Sequence, residues 1–122
     1  MEKFHSIAVY GTLKKGEINY RLYLDQKEPT FVGPVSIKAC LYTIGAYPLL
    51  LPCREANSIF IEIFEINDTE LQTLDDLEKP YNLFRQQIFI PSLNKNVDIY
   101  IASFTEVPDG FSIVKSGNWR PT

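Results

Sequence analysis

Histidine is nearly absent from this chain: one occurs in 122 residues, His5. Nucleophilic catalysis of the Ser-His-Asp or Cys-His type needs a histidine base, and a single one beside the N-terminus is a poor candidate. Cysteine is almost as scarce. Cys40 and Cys53 stand thirteen positions apart with no CxxC unit, so neither a zinc site nor a redox motif is written, and two buried or idle thiols are expected. So few soft ligands leave no transition-metal cluster, and no metal or cofactor is expected. No window approaches the roughly 18 apolar residues of a membrane span, and the first residues lack the apolar stretch of a signal peptide. A cytoplasmic protein without membrane contact is the expectation. Lysine and arginine number 12 against 15 acidic residues, and beyond Lys14-Lys15 they do not cluster. A net charge of −3 provides no footprint for nucleic acid, which leaves a small molecule as the expected partner.

What is present is ordinary globular composition, 45% hydrophobic and 22% charged, in a length that suits one core. A single domain over residues 1–122 is expected. Residues 6–10 form an apolar run that ends at Gly11, which suits a buried strand delivering a turn through Gly16. Ile18, Leu22 and Tyr23 then recur at helical spacing before Pro29, predicting one or two helical turns within 17–24. Residues 31–35 and 37–42 read as extended chain with a bend at Gly33-Pro34, followed by a loop over 43–57 with Gly45, Pro48 and Pro52. Residues 59–66 are apolar on both alternating faces except at Glu62 and Glu65, the pattern of a central strand. Residues 84–90 and 97–104 predict a hairpin. The main helix begins at Asn67, an N-cap with Glu70 completing a capping box, and must end near Lys79 because Pro80 follows. Strands on both sides of one main helix give an α+β class around a largely antiparallel sheet, curled or closed into a barrel.

Leu71 and Leu74 define the buried stripe of that helix, and Glu78, seven and four positions on, falls between them. A carboxylate on an apolar face is costly to ionise, so its pKa should rise toward the range where it can both take and give a proton. Glu78 is thus a candidate general acid/base. The alternative is a carboxylate in a fraying last turn that pairs with Lys79 or Arg85. Asp75 lies near the same stripe, whereas Asp76 falls on the solvated side. Glu62 is a second buried carboxylate, for which accepting structural hydrogen bonds competes with catalysis. The turn from Gly11 to Gly16 fits GxxxxG, but Glu17-Ile18 stands where a P-loop needs Lys and Ser or Thr, so Walker A is rejected. What survives is a turn whose backbone N–H groups can converge on an anion, with a plain strand-to-helix connection as the alternative.

Two stretches, Val9-Tyr10-Gly11-Thr12-Leu13-Lys14-Lys15-Gly16 and Leu74-Asp75-Asp76-Leu77-Glu78-Lys79-Pro80-Tyr81-Asn82-Leu83-Phe84-Arg85, together resemble the gamma-glutamylcyclotransferase-like family, also called AIG2-like. They match its YG[ST]L loop and its L-D-x-x-E segment followed by Tyr and Arg. Leu41-Tyr42, Gly45-Ala46-Tyr47-Pro48-Leu49, Glu62-Ile63-Phe64 and Ser116-Gly117-Asn118-Trp119 extend the resemblance over nearly the whole chain. It implies a small mixed β-barrel with flanking helices, with Tyr10, Gly11, Thr12 and Leu13 as substrate-binding positions and Glu78 as the catalytic carboxylate. It also implies a reaction: the α-amino group of a gamma-glutamyl amine or peptide attacks its own γ-carbonyl, releasing 5-oxoproline and an amine or amino acid. The nucleophile then belongs to the substrate, which accounts for the lack of an activated Ser or Cys nucleophile and of a metal cluster. Two positions depart from the pattern, Ala39 and Ile61, where glycine is usual, and a bulky Ile61 is expected to narrow the cavity. The competing readings are a non-catalytic binding or interaction domain with the same cavity, and a hydrolase using Asp75 and Glu78 as paired acids.

Overall fold

The computed structural model describes residues 3–121. Its elements are β1 (Phe4–Val9), β2 (Phe31–Thr43), β3 (Pro48–Asn67), α1 (Asp68–Glu78), β4 (Leu83–Ile90), β5 (Lys95–Ala102) and β6 (Ser112–Ile113). They form a mixed sheet in the order β4-β5-β1-β3-β2-β6, antiparallel throughout except where β1 runs parallel to β5. The α+β class stands. Closure into a barrel does not: β4 and β6 are the ends of the ladder, and no strand pairing joins them among the described residues. The long β3 instead lets the sheet keep apolar clusters on both faces. Val35, Leu41, Ile61, Ile99 and Trp119 belong to one cluster, and Val9, Leu49, Phe64, Leu74 and Tyr100 to the other.

Residues 59–66 hold the predicted central position, with β1 on one side and β2 on the other. The predicted loop over 43–57 is for the most part strand: residues 48–52 pair with 39–43, leaving only 44–47 as the connection. Pro48 and Pro52 misled because prolines ordinarily break ladders. Here β2 is the one strand paired with this half of β3, and a proline on an unpaired edge removes no ladder hydrogen bond. The irregularity foreseen at Gly33-Pro34 lies instead between Ile37 and Ala39, opposite extra residues 53–56 of β3. The 17–24 segment forms a short wide-turned helix at Tyr20–Leu24, and the predicted hairpin is β4–β5.

Helix α1 begins as expected. The Asn67 side chain accepts from the Glu70 N–H at 2.8 Å, and Glu70 Oε1 accepts from the Asn67 N–H at 3.0 Å. Leu71 and Leu74 are its buried residues. Past Glu78 the chain tightens into a single turn at Lys79–Tyr81 containing Pro80, then reverses at Asn82, which adopts a left-handed φ of 59°. This stop places the last residue of α1 above the end of β1.

Candidate functional site

A cavity of about 270 Å³ opens where β1 ends, walled by Tyr10 to Leu13, Asn19, Ala46 to Pro48, Glu78, Tyr81, Leu83 and Tyr100. All five residues named from the sequence as site positions, Tyr10, Gly11, Thr12, Leu13 and Glu78, lie in this one wall. Asp75, Asp76, Glu62 and His5 do not.

The turn after β1 is built by its own carbonyls. Gly11 O accepts from the Lys14 N–H at 3.0 Å, and Thr12 O accepts from the N–H groups of Asn19 and Tyr20 at 2.9 and 3.1 Å. Asn19 Nδ2 donates to Thr12 Oγ1 at 2.7 Å, which ties the turn to the short helix. With the carbonyls so used, the N–H groups of Gly11, Thr12 and Leu13 meet no protein acceptor among the described residues. Gly11 is required by crowding: a Cβ there would stand 2.5 Å from Pro48 Cγ. Lys14 is no free cation for a ligand. It is 2% exposed, donates to Trp119 O at 2.6 Å and Asn118 Oδ1 at 2.9 Å, and desolvation lowers its pKa.

Glu78 has neither a hydrogen-bond nor an ion-pair partner among the described residues, and burial alone raises its pKa to about 7. The proposed pairing with Arg85 is absent for a specific reason. Arg85 Nε and Nη2 donate to the two oxygens of Asp75 at 3.0 and 3.2 Å, and Tyr100 Oη donates to Asp75 Oδ1 at 2.8 Å. Asp75 is thereby engaged away from the cavity, which removes the paired-acid hydrolase. Burial and the Asp75 bond together raise the Tyr100 phenol, while burial and the nearby Glu78 charge raise that of Tyr10. Both phenols stay neutral, and Tyr10 Oη donates to Tyr100 O at 2.6 Å.

The other carboxylates are structural or solvated. Glu62 Oε1 accepts from the Lys15 N–H at 2.6 Å and so pins the turn from behind. Asp76 is exposed and accepts from Gln72 Nε2 at 3.1 Å. His5 pairs with Asp68 at the far end of α1. Ile61 is fully buried in the core and does not line the cavity, so the narrowing expected of it does not occur; Ala39 is likewise core.

Sequence reasoning did not single out Tyr47, Tyr81 or Tyr100 as part of the wall. Tyr47 lies on the 44–47 connection and packs at a tilt against Tyr81, 4.8 Å between ring centroids, and edge-on against Phe111 at 5.8 Å. Tyr47 and Tyr81 fall within the segments that carry the family resemblance, which was the available signal. Tyr100 is one apolar residue in an apolar strand, and nothing in the sequence distinguishes it.

Known proteins resemble this chain in sequence and in fold. The family model described as gamma-glutamyl cyclotransferase, AIG2-like, matches residues 7–121. A Vibrio cholerae protein named for gamma-glutamylcyclotransferase activity is 31% identical over 116 residues, covering 94% of this chain and 95% of its own. The gamma-glutamylaminecyclotransferase of Rattus norvegicus is 32% identical over 85 residues, covering 59% of this chain and 53% of its own length. Among solved structures, an AIG2-like protein of Mus musculus superposes with a TM-score of 0.67 at 23% identity, over 98% of this chain and 97% of that one. The chain therefore belongs to the gamma-glutamyl cyclotransferase, AIG2-like family.

Proposed function

We propose that this protein cyclises the glutamyl end of a gamma-glutamyl amine or peptide, with Glu78 as its general acid/base. The observation that carries this reading is the pairing, in one cavity, of an unpartnered carboxyl raised to about 7 with three unengaged backbone N–H groups. The N–H groups of Gly11, Thr12 and Leu13 hold the substrate's α-carboxylate or the oxyanion that develops on its γ-carbonyl. Glu78 accepts a proton from the substrate ammonium, and the freed amine attacks the γ-carbonyl carbon. Collapse of the tetrahedral intermediate breaks the bond to the leaving nitrogen as Glu78 returns the proton to it, and the second proton of the attacking nitrogen is lost to water or to the departing amine, leaving the lactam N–H. The products are 5-oxoproline and a free amine or amino acid.

The energetics suit so small a site. Folding the glutamyl chain so that its own nitrogen reaches the carbonyl is worth roughly 7–11 kcal/mol when the geometry is right. Proton transfer by a group with a pKa near ambient pH contributes about 10²–10⁴-fold. Neither contribution calls on a metal or an enzyme nucleophile. Tyr47 and Tyr81 present aromatic surface to the leaving group, and no lysine or arginine among the described residues lines the cavity, which favours leaving groups without a carboxylate.

The decisive experiment incubates the purified protein with a panel of gamma-glutamyl amines and dipeptides and measures 5-oxoproline release, with and without EDTA. Release from at least one compound, unchanged by chelator, is the expected result. Activity that disappears with EDTA and returns with zinc contradicts the mechanism, and no release from any compound supports the non-catalytic alternative.

A further inference from the structure

The two cysteines stand together on a part of the sheet that the cavity does not use. Cys40 of β2 pairs in register with Leu51, and Cys53 stands two residues further along β3, in the irregular stretch opposite Lys38. In a regular ladder such diagonal neighbours sit about 7–8 Å apart. Here the ladder is interrupted by the extra residues 53–56, and the two sulfurs come to 3.1 Å, in S–H···S contact, with both thiols free. Asn57 Nδ2 donates to Ala39 O at 3.0 Å and Glu55 O at 3.2 Å and lies 3.3 Å from Cys53 Sγ and 3.4 Å from Cys40 Sγ, while the Cys53 thiol also reaches Glu55 O at 3.1 Å, so the pair sits in a polar, ordered bend. Both residues are only half-buried, so a small reagent can reach them.

We propose that Cys40 and Cys53 are a reactive thiol pair that small-molecule disulfides convert to an intrachain disulfide across the β2–β3 hairpin. One thiolate attacks a sulfur of the reagent RSSR, forming a mixed disulfide and expelling RS⁻, which takes up a proton. The second thiol, already in contact, loses its proton and attacks the protein sulfur of that mixed disulfide, expelling the other RS⁻. The two protein thiols are oxidised by two electrons, and one RSSR is reduced to two RSH. Burial and the contact with Cys40 raise the Cys53 thiol, so the S–H form predominates at neutral pH and the first step quickens in mild alkali. The closed loop contains the 44–47 connection that carries Tyr47, so the bond staples the base of the hairpin forming one wall of the cavity.

The test exposes the folded protein to 5,5′-dithiobis(2-nitrobenzoate) under mildly alkaline conditions and weighs it by mass spectrometry. The expected product has lost the mass of two hydrogen atoms, carries no adduct, and has released two equivalents of chromophore per chain. The loss should map to the tryptic peptide 39–54, and the oxidised protein should melt several degrees higher, since the link restricts the unfolded chain. Cys40→Ser should trap Cys53 as a stable mixed disulfide. Wild type that retains one or two adducts, shows no reaction before unfolding, or forms a dimer on non-reducing gels overturns the proposal. Because the wild-type result stands alone, a serine variant that fails to fold leaves the test intact.

Discussion

Glu78 and Asp75 lie three positions apart on one helix and differ in what their neighbours allow. Asp75 is met by Arg85 and Tyr100, a ready-made set of donors that keeps its oxygens occupied. Glu78 meets none, and desolvation raises it from 4.5 to about 7. Two expectations belong to this residue. Glu78→Gln should keep the fold and ligand binding while lowering kcat by about 10²–10⁴-fold, or roughly 3–5 kcal/mol of transition-state stabilisation, with Asp76→Asn nearly silent as the control. Steady-state kinetics across pH should place the acid limb of wild-type kcat/KM near pH 7. Stability should move the other way. A carboxyl whose value is raised in the folded state holds its proton more tightly there, so its contribution is full below pH 4.5 and is lost as pH climbs through 7. Denaturant titrations should therefore show Glu78→Gln gaining on wild type between those values, with the difference levelling above them. Equal turnover in Glu78→Gln and wild type would assign the proton transfer elsewhere.

At the scale of elements, the turn between β1 and the short helix is shaped by what its carbonyls bind, and the N–H groups of Gly11, Thr12 and Leu13 are left without a protein acceptor among the described residues. Thr12→Pro removes one of those N–H groups and fixes φ, whereas Thr12→Ser keeps both amide and hydroxyl. Substrate affinity should fall for proline and hold for serine; equal affinity in two folded variants would show that this amide is not a ligand. Gly11→Ala probes the same turn from outside. The added methyl meets Pro48 at 2.5 Å, too close for any relaxation confined to side chains to be free of cost. A stability loss of about 1–3 kcal/mol is expected from such overpacking, together with weaker substrate binding, because Pro48 is itself wall. Chemical denaturation and titration with a slow substrate read the two effects separately.

Over the whole molecule, the C-terminal segment decides how firmly the mouth is held. Trp119 is 1% exposed and donates from Nε1 to Thr43 Oγ1 at 2.8 Å. The same hydroxyl accepts from the Gly45 N–H and donates to Tyr47 O, so a residue near the end of the chain braces the connection that carries the aromatic wall. Gly117, at φ 72°, lies so close to Ser58 O that only glycine fits, and its carbonyl accepts from the Phe60 N–H at 2.8 Å. Trp119→Phe keeps the apolar ring and removes the donor. It should cost about 1–2 kcal/mol in thermal denaturation, and KM should rise while the acid-limb pKa stays where it is. A shift of that pKa instead would mean that the C-terminal segment acts on Glu78 and not on the wall.

What the sequence determined by itself was local. The capping box at Asn67 and Glu70, the stop at Pro80, the central strand around Glu62 and the Leu71-Leu74-Glu78 face are set by contacts within a few residues or by side-chain alternation, and they form as read. The YGTL turn and the glutamate segment were identifiable as motifs for the same reason. That both line one cavity was decided only by the tertiary structure, because β1 and α1 are brought together by pairing of β1 with the far end of β3. The strand over 48–57 was hidden because its prolines are harmless only on an edge without a ladder partner, and which strand has such an edge depends on sheet order. Closure of a barrel is a property of the two outermost strands, and alternating apolar residues within each strand carry no information about whether those edges meet. The freedom of Glu78 was decided the same way: Lys79 and Arg85 are near it in sequence, yet Arg85 is held by Asp75 and Asp98 instead.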